Sequence, residues 1–317
     1  MGEPGGVGGE LALKAWASPG VPPFFLVGDA DWLARIDPAV PVRRIEDPGV
    51  AAQIFPDALP VLSLPLNAPV EPGKADPAHG PAVIASIEQA VAAVRSGEAS
   101  AVVTLPIQKE SLKSAGFAHP GHTEFLAELT GADRSVMMLA GGGLRTVPLT
   151  VHVPLAEVPG RISSTLIEET ARIVADALRA DFGVAAPRLV LAGLNPHAGE
   201  GGMLGAEEGA VMAPTVARLR NEGLDIRGPL SADTLFHAEA RARYDAALCA
   251  YHDQALIPVK MLDFHNAVNV TLGLAIVRTS PDHGTALDIA GRSEARPDSL
   301  IAALKLAHEM AERRQGV

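Results

Sequence analysis

Residues 244–291 read YDAALCAYHDQALIPVKMLDFHNAVNVTLGLAIVRTSPDHGTALDIAG, and this part of the sequence is the most informative about the fold class. It opens with an apolar run at 246–251, which has the length and composition of a buried strand, and His252 stands at the end of that strand. Three polar residues follow in otherwise apolar surroundings: Lys260, Asn269 and Arg278. Apolar strands that end in polar side chains are typical of α/β proteins, whose ligands bind beyond the carboxyl ends of the strands.

The same alternation of strands and helices extends over most of the chain. Further strands are predicted by short apolar runs at 24–27, 101–105, 147–151 and 189–194. Apolar residues at helical spacing predict helices over 83–94 and 162–178, and a last helix from Asp298. The alternation predicts an α/β fold with a mixed, largely parallel sheet.

Composition excludes several classes of partner. The chain has 317 residues, 48% of them hydrophobic, and a formal net charge of −11, so general attraction to nucleic acid or to an acidic membrane is not expected. An anionic ligand must therefore be held by local cations. No apolar run approaches the roughly 20 residues of a membrane span, and nothing at the start of the sequence indicates a signal peptide. We therefore expect a cytoplasmic protein.

The glycine-rich stretch at 2–10, GEPGGVGGE, lacks the GxGxxG spacing of the common dinucleotide-binding fold. An α/β chain usually opens with a strand and none precedes this loop, so either a strand lies upstream or this edge strand is absent. The single cysteine, Cys249, excludes an intrachain disulfide, and its place in an apolar run predicts core packing.

Three histidines hold equivalent positions, each at or just beyond the end of a predicted strand: His152, His197 and His252. Imidazoles placed in this way can converge on one divalent ion and leave a coordination position open. The alternative is that each is an ordinary loop or core histidine; the shared placement of all three favours the metal.

A second group of polar residues suits an anion. His122 and Thr123, in the motif HPGHT at 119–123, come just before a predicted helix, whose N-terminal N–H groups favour phosphate. The alternative is that Thr123 is an ordinary N-cap. Lys260, Asn269 and Arg278 suit a carboxylate or phosphate clamp, and their apolar context disfavours the alternative of surface cations.

Six motifs in order resemble the 4-hydroxythreonine-4-phosphate dehydrogenase family of vitamin B6 biosynthesis: HPGHTEFLAELTG, GLNPHAGEGG, ADTLF, YHDQ, NVTLGL and RTSPDHGTALDIAG. The resemblance covers about residues 2–306. It implies metal ligands at His152, His197 and His252. It also implies substrate contacts at His122, Thr123, Lys260, Asn269 and Arg278.

Residues 282–291 also resemble the cofactor loop of isopropylmalate and isocitrate dehydrogenases. Their fold has two α/β/α subdomains and binds NAD outside the standard fingerprint. The resemblance implies a first subdomain at 1–125 and 280–317, a second at 126–279, and an active site in the cleft between them. It implies cofactor contacts, to NAD or alternatively NADP, at four loop residues: His283, Gly284, Thr285 and Asp288.

The family's activity is oxidation of 4-phosphohydroxy-L-threonine to a β-keto acid, which decarboxylates to 3-amino-2-oxopropyl phosphate. We expect Zn²⁺ as the metal, with Mg²⁺, Co²⁺ or Mn²⁺ as alternatives. Three residues are candidates for the general base: Lys260, Asp233 and Asp253. The alternatives are a dehydrogenase of threonate or erythronate 4-phosphate, a metal-dependent lyase or isomerase, and a non-redox acyl- or phosphotransferase.

The resemblance further implies a homodimer whose active site is shared between subunits, with His252 reaching into the neighbour's site. The apolar stretch 255–274 is long enough to include a dimer interface. The alternative is that this stretch is simply core strand and that all three metal ligands come from one chain.

Overall fold

The protein is described here by a computed structural model, which covers residues 1–114, 116–119 and 121–316. It divides into two compact units. Unit 1 comprises Met1–Ser135 and Leu274–Ala311, and unit 2 comprises Val136–Gly273 and the residues from Glu312 onward. The boundaries predicted from the sequence, at 125/126 and 279/280, fall inside a helix and a strand. The observed ones at 135/136 and 273/274 lie between regular elements, and a third, at 311/312, lies within the last helix.

The strands, numbered in chain order, are β1 (Leu26–Gly28), β2 (Val42–Ile45), β3 (Leu59–Ser63), β4 (Ala101–Val103), β5 (Val136–Gly141), β6 (Leu144–Pro148), β7 (Arg188–Ala192), β8 (Asp225–Leu230), β9 (Ala246–Cys249), β10 (Val268–Leu272) and β11 (Val277–Pro281). The helices are α1 (Gly8–Trp16), α2 (Ala30–Ile36), α3 (Ala51–Ile54), α4 (Gly80–Arg95), α5 (Lys109–Ser114), α6 (His122–Thr130), α7 (Val158–Arg161), α8 (Ser164–Ala180), α9 (Ala213–Asn221), α10 (Ala238–Arg241), α11 (His252–Leu262) and α12 (Asp298–Gln315).

Parallel pairing dominates in both units. In unit 1, β1, β3 and β2 form a parallel sheet in that order, and β4 pairs in parallel with β11. In unit 2 the strand order is β10-β5-β6-β9-β7-β8, with antiparallel pairing confined to β10–β5 and β5–β6. The mixed, largely parallel α/β fold predicted from the sequence is therefore confirmed.

Each unit buries its own apolar side chains. In unit 1, Leu11 of α1 and Leu33 of α2 pack in one cluster with Leu59 of β3. In unit 2, Leu144 of β6 and Val259 of α11 pack in one cluster with Cys249 of β9. Cys249 is fully buried, and burial raises the pKa of its thiol, so the prediction of core packing is confirmed.

Helix α8 shows how local sequence sets its bounds. The hydroxyl of Ser163 accepts a 3.1 Å hydrogen bond from the Leu166 N–H, which caps the first turn. Ile167 and Val174 lie on its buried face, two turns apart. The helix ends beside Gly183, whose φ of 68° is left-handed.

The stretch around His252 differs from the prediction. The strand predicted at 246–251 ends at Cys249, and His252 is the first residue of α11. Residues 255–274 are therefore neither an extended run nor one core strand, but the rest of α11 followed by β10. Helical periodicity explains this, because Ala255 and Val259 are buried while Ile257 is exposed.

Within the described ranges, none of the helices combines the length and the apolar composition needed to cross a membrane.

Candidate functional site

The three histidines singled out in the sequence follow three neighbouring strands of unit 2. Parallel β9 lies between β6 and β7, so the carboxyl ends of these strands meet at one edge of the sheet. His152 lies four residues beyond β6, His252 three beyond β9, and His197 five beyond β7. The strand order thus places all three at the edge where α/β folds bind ligands.

The imidazoles of His152 and His252 lie close together in the same chain. Their ring centroids are 5.8 Å apart, with 41° between the ring planes. A Zn–N bond of about 2 Å puts each ring centroid about 3 Å from the metal, so two imidazoles on one ion have centroids about 5–6 Å apart. The observed separation therefore fits two ligands of a single ion.

Asp253 gives His252 a defined orientation. Its Oδ1 lies 2.6 Å from Nδ1 of His252. A carboxylate at this nitrogen favours the tautomer with its proton on Nδ1, which leaves the lone pair of Nε2 for a metal. Asp253 is also a candidate general base, and that role stays a prediction.

His197 stands apart from this pair on an unusual turn. Five consecutive residues, His197 to Gly201, have left-handed backbone angles, with φ between 43° and 80°. Three of them are not glycine, and each such residue in a left-handed helix costs about 1–2 kcal/mol. The turn leaves the imidazole exposed, 3.6 Å from the carboxylate of Glu200. A strained, exposed histidine is a feature that the surrounding structure has to hold in place.

The donor set suits a divalent cation such as Zn²⁺, because neutral imidazoles are among its preferred ligands. Among the described residues, however, no three histidine, cysteine or acidic side chains lie close enough together to enclose an ion within one chain. One chain thus provides a His152–His252 pair, and the metal triad remains a prediction.

A separate cationic cluster lies in unit 1 and consists of Arg278, Lys109, His122 and Thr104. Arg278 of β11 is only 4% exposed, and its Nη2 donates a 2.6 Å hydrogen bond to Oγ1 of Thr104, just beyond β4. Burial lowers the pKa of Arg278 to about 10, so the guanidinium stays protonated at neutral pH. A buried guanidinium requires a compensating anion or hydrogen bonds, which makes this position suited to an anionic ligand.

His122 shares this environment as the first residue of α6. Its pKa is held well below the usual value by burial and by the positive charges of Arg278 and Lys109. Its Nε2 is buried and makes no hydrogen bond to any described residue. The imidazole is therefore neutral beside two cations, and Nε2 has a hydrogen-bonding position to offer a ligand.

The start of α6 corrects one sequence-based alternative. The N-cap is Gly121, in extended conformation and without a side-chain cap, so Thr123 lies in the first turn and is not the cap. The Thr123 hydroxyl is thus not used as a cap. Pro120 of the same motif lies outside the described residues.

Two members of the cationic cluster were not expected from the sequence as site residues: Lys109 and Thr104. Thr104 follows β4 directly, and Lys109 begins α5 six residues beyond that strand; both lie in the run TLPIQK, where the chain leaves the sheet at its carboxyl end. Polar residues at that position are the available sequence signal. Their spatial relation to Arg278 depends on the β4–β11 pairing, which the sequence does not show.

The remaining predicted residues occur in unit 2. Lys260 lies on α11, with Nζ 5.6 Å from the ring centroid of Phe264, and Asn269 lies on β10 opposite Leu139. Asp233 is exposed, and a hydrogen bond from the Ser231 hydroxyl lowers its pKa.

In unit 1, the predicted cofactor loop packs against the glycine-rich stretch at 2–10, which was expected to be a loop but whose last three residues begin α1. The Val7 N–H donates a 3.0 Å hydrogen bond to the Thr285 carbonyl, and the Gly291 N–H donates to the carboxylate of Glu10. His283 and Asp288 are exposed, and Gly284 lies between His283 and Thr285. The structure thus brings together two stretches that are nearly 280 residues apart in the sequence.

A cavity of about 770 Å³ lies beside these two loops. Its lining includes Gly6, Glu10, Trp32 and Gly291. Glu10 is 7% exposed, and its Oε2 is buried without a hydrogen bond to any described residue. A buried carboxylate oxygen of this kind is suited to accept a hydrogen bond from a ligand.

The family model described as "Pyridoxal phosphate biosynthetic protein PdxA" matches residues 21–307. The chain belongs to this family. It is 56% identical over 321 residues to a 4-hydroxythreonine-4-phosphate dehydrogenase of Caulobacter vibrioides, covering 99% of this chain and 96% of that protein.

Solved structures agree with this assignment to the PdxA family. The crystal structure of 4-hydroxythreonine-4-phosphate dehydrogenase from Klebsiella pneumoniae matches with a TM-score of 0.88 at 35% identity, over 98% of both chains. A terephthalate 1,2-cis-dihydrodiol dehydrogenase from Burkholderia xenovorans matches with a TM-score of 0.66 at 31% identity, over 98% of this chain and 96% of the other. The family predicted from the six motifs is confirmed.

Proposed function

We propose that the chain oxidises 4-phosphohydroxy-L-threonine with NAD, as a step of pyridoxal phosphate biosynthesis. The product would be a β-keto acid that decarboxylates to 3-amino-2-oxopropyl phosphate. The observation that carries this proposal is the near full-length identity of 56% to a protein named for oxidation of that substrate. The cationic cluster of unit 1 supports it, because the substrate carries a phosphate and the chain as a whole is acidic.

The phosphate would bind at the cationic cluster. Arg278 and Lys109 supply positive charge, and the Arg278 guanidinium offers fork geometry that matches phosphate oxygens. His122 presents its buried Nε2, and Thr123 adds a hydroxyl in the first turn of α6. Lys260 and Asn269 are proposed as further substrate contacts.

The metal would be held by His152 and His252, completed by His197. Zn²⁺ is the first choice, with Mg²⁺, Co²⁺ or Mn²⁺ as alternatives. When bound, such an ion supplies Lewis acidity that lowers the pKa of a substrate hydroxyl. The Asp253 carboxylate keeps the proton on Nδ1 of His252 and so keeps Nε2 available.

Three residues are proposed as candidates for the general base: Lys260, Asp233 and Asp253. The Asp253 carboxylate is engaged by His252, and the lowered pKa of Asp233 makes its carboxylate a weaker base. Lys260 lies half-buried on the same helix as His252, two turns further along.

NAD would bind beside the loop that carries His283, Gly284, Thr285 and Asp288, with NADP as the alternative. The neighbouring cavity of about 770 Å³ has the size of a small-molecule site, about 300–1,000 Å³. Oε2 of Glu10, which has no hydrogen bond to any of the described residues, would accept a hydrogen bond from a ribose hydroxyl. When bound, NAD supplies the hydride acceptor.

A homodimer with a shared active site completes the proposal. Three large apolar side chains are exposed on and just after α11: Ile257 at 63%, Met261 at 76% and Phe264 at 65%. Such a patch is typical of a protein interface. The same helix begins with His252, so an interface formed here lies close to a predicted metal ligand.

One assay tests the proposal against its alternatives. Purified protein is mixed with NAD and Zn²⁺ and with 4-phosphohydroxythreonine, threonate 4-phosphate or erythronate 4-phosphate, while NADH absorbance is followed. The proposal expects the fastest NADH formation with 4-phosphohydroxythreonine. Faster turnover of threonate or erythronate 4-phosphate would show that the substrate is a sugar-acid phosphate. Product formation without NADH would indicate a lyase, isomerase or transferase.

A further inference from the structure

The left-handed turn that carries His197 is held by one buried carboxylate. Glu208 is 5% exposed and lies eleven residues further along the chain. Its Oε1 accepts a 2.7 Å hydrogen bond from the backbone N–H of Asn195, and its Oε2 accepts a 3.0 Å bond from Nδ2 of the same residue. That Nδ2 also donates a 2.8 Å bond to Oε2 of the less buried Glu207, whereas the backbone N–H of Asn195 donates to Glu208. Asn195 immediately precedes Pro196, the residue before the turn. Glu208 therefore holds the backbone in place where the turn begins.

Glu208 also fills the inside of the turn. A Cβ added to Gly199 would lie 2.7 Å from Oε2 of Glu208, closer than any real Cβ contact. Only glycine therefore lets the turn close over the carboxylate at this position. Gly201 lies in the same turn with a similar left-handed φ, but nothing stands within 4 Å of an added Cβ there.

The base of the turn is joined to the start of α11. The side-chain amide of Gln254 donates a 2.9 Å hydrogen bond to the Gly193 carbonyl and accepts a 2.6 Å bond from the Ala250 N–H. Gln254 lies two residues after His252. The turn that presents His197 thus begins from a fixed point beside the helix that presents His252.

From these contacts we infer that Glu208 is a positioning residue that holds His197 in the geometry required for metal binding. The inference rests on the proposed function, in which His197 is a metal ligand. Its physical basis is that three non-glycine residues keep unfavourable left-handed angles while the histidine itself is exposed. An exposed side chain cannot hold its own backbone in such a conformation, so the buried anchor does so, together with a 3.1 Å hydrogen bond from the Leu204 N–H to the Gly199 carbonyl. Loss of a group that orients a metal ligand typically weakens metal binding about 10–100-fold.

The test uses a pair of glycine variants and a pair of glutamate variants. Gly199→Ala pushes a methyl group into Glu208, whereas Gly201→Ala introduces the same left-handed strain into open space. Glu208→Gln replaces one acceptor oxygen by a donor facing Nδ2 of Asn195, whereas Glu239→Gln makes the same change on the exposed side of α10. Comparison of the two glycine variants separates the contact with Glu208 from backbone strain. Comparison of the two glutamate variants separates that contact from the loss of a negative charge.

For each full-length variant, Zn²⁺ affinity of the metal-free protein is measured by competition with a chromogenic chelator. The Co²⁺ absorption spectrum and the Tm of the metal-free protein are recorded in parallel. We expect Glu208→Gln and Gly199→Ala to bind Zn²⁺ at least tenfold more weakly, with an altered Co²⁺ spectrum. The double variant should be no weaker than the worse single variant, because both act on one contact. Gly201→Ala and Glu239→Gln should lie within about threefold of wild type.

Two results overturn the inference. One is wild-type Zn²⁺ affinity in both Glu208→Gln and Gly199→Ala while His197→Ala loses the metal. The other is a large fall in the Tm of the metal-free protein in both variants, in step with the loss of affinity, which would assign Glu208 to fold stability. Full Zn²⁺ affinity in His197→Ala would instead refute the proposed ligand set, so the two failures are distinguishable.

Discussion

The Nη2 atom of Arg278 donates a 2.6 Å hydrogen bond to Oγ1 of Thr104, a residue that lies 174 positions earlier in the chain. Parallel pairing of β11 with β4 brings the two together, with Arg278 directly opposite Val102. The guanidinium is thereby fixed at the end of a strand pair, in a buried environment where its charge is poorly screened. A fixed, buried cation is well suited to recognise a phosphate.

Replacement of Arg278 should therefore weaken substrate binding more than it changes folding. A charge-assisted hydrogen bond contributes about 1.5–3 kcal/mol, so Arg278→Ala should raise KM for the phosphorylated substrate about 10- to 100-fold. Thr104→Val removes only the orienting hydroxyl and should have a smaller effect. Steady-state kinetics with the preferred substrate measure both, and a wild-type KM in Arg278→Ala would exclude this residue from the site.

His122 should make stability depend on pH in a defined direction. Its folded-state pKa lies well below its ordinary value of 6.5, so the unfolded chain takes up a proton that the folded chain does not. Stability should therefore be complete above about pH 6.5 and fall as the pH drops toward the folded-state pKa. The Tm of His122→Asn should fall less between pH 7.5 and 5.5 than that of the wild type.

The exposed His237 offers a matched control for this measurement, since His237→Asn removes a histidine outside the cationic cluster. It should retain the wild-type pH dependence. Equal slopes for the wild type and His122→Asn would show that His122 does not resist protonation in the folded protein.

Much of the fold was predictable because it depends on local pattern. The amphipathic run that became α8 and the apolar runs that became β7 and β9 were located from periodicity alone, to within a few residues. The start of α11 at His252 was missed, because LIPVKML is apolar on both sides of Pro258 and does not distinguish helix from strand.

The site was less predictable because its geometry depends on distant contacts. The left-handed turn at His197 requires a buried Glu208 and a glycine at 199, and no local rule places non-glycine residues at positive φ. The positive charges near His122 include that of Lys109, and its place beside His122 follows only from the pairing of β4 with β11. The sequence shows which polar residues are available for a site, whereas the pairing of the strands determines which of them lie close together.

An ion pair between a buried carboxylate and a surface arginine in unit 2 should contribute to stability. Asp181, at the end of α8, is 1% exposed and accepts hydrogen bonds from the Arg314 guanidinium, including one of 3.0 Å from Nη2. Arg314→Ala leaves the buried Asp181 carboxylate without this partner, and because a hydrogen bond to a charged group contributes about 1.5–3 kcal/mol, it should lower the free energy of unfolding by that amount. Asp176→Ala breaks the exposed pair with Arg179 and should lower it by less than about 1 kcal/mol. Urea denaturation compares them, and similar losses would contradict the assignment.

The exposed apolar residues of α11 should be needed for dimer formation. Met261→Glu places a charge on a side chain that is 76% exposed in the single chain, so it should not disturb the fold of unit 2. If this surface is the interface, burial of that charge is unfavourable and the variant should sediment as a monomer. Sedimentation velocity provides the readout. A dimer of unchanged stability would place the interface elsewhere.

The last prediction is that complementation between inactive variants identifies the ligand that comes from the partner. His152→Ala, His197→Ala and His252→Ala should each be inactive alone. A mixed dimer regains one intact site only when the two defects concern ligands that different chains supply to that site. If His252 is the partner's ligand, as the resemblance implies, the His152–His252 mixture should recover activity. The 5.8 Å separation of their rings within one chain favours the other assignment, in which that mixture stays inactive and either variant mixed with His197→Ala recovers activity. Subunit exchange is verified by differently tagged chains. Recovery in the His152–His252 mixture would make His252 the partner's ligand, and no recovery in any mixture would refute a metal site shared between subunits.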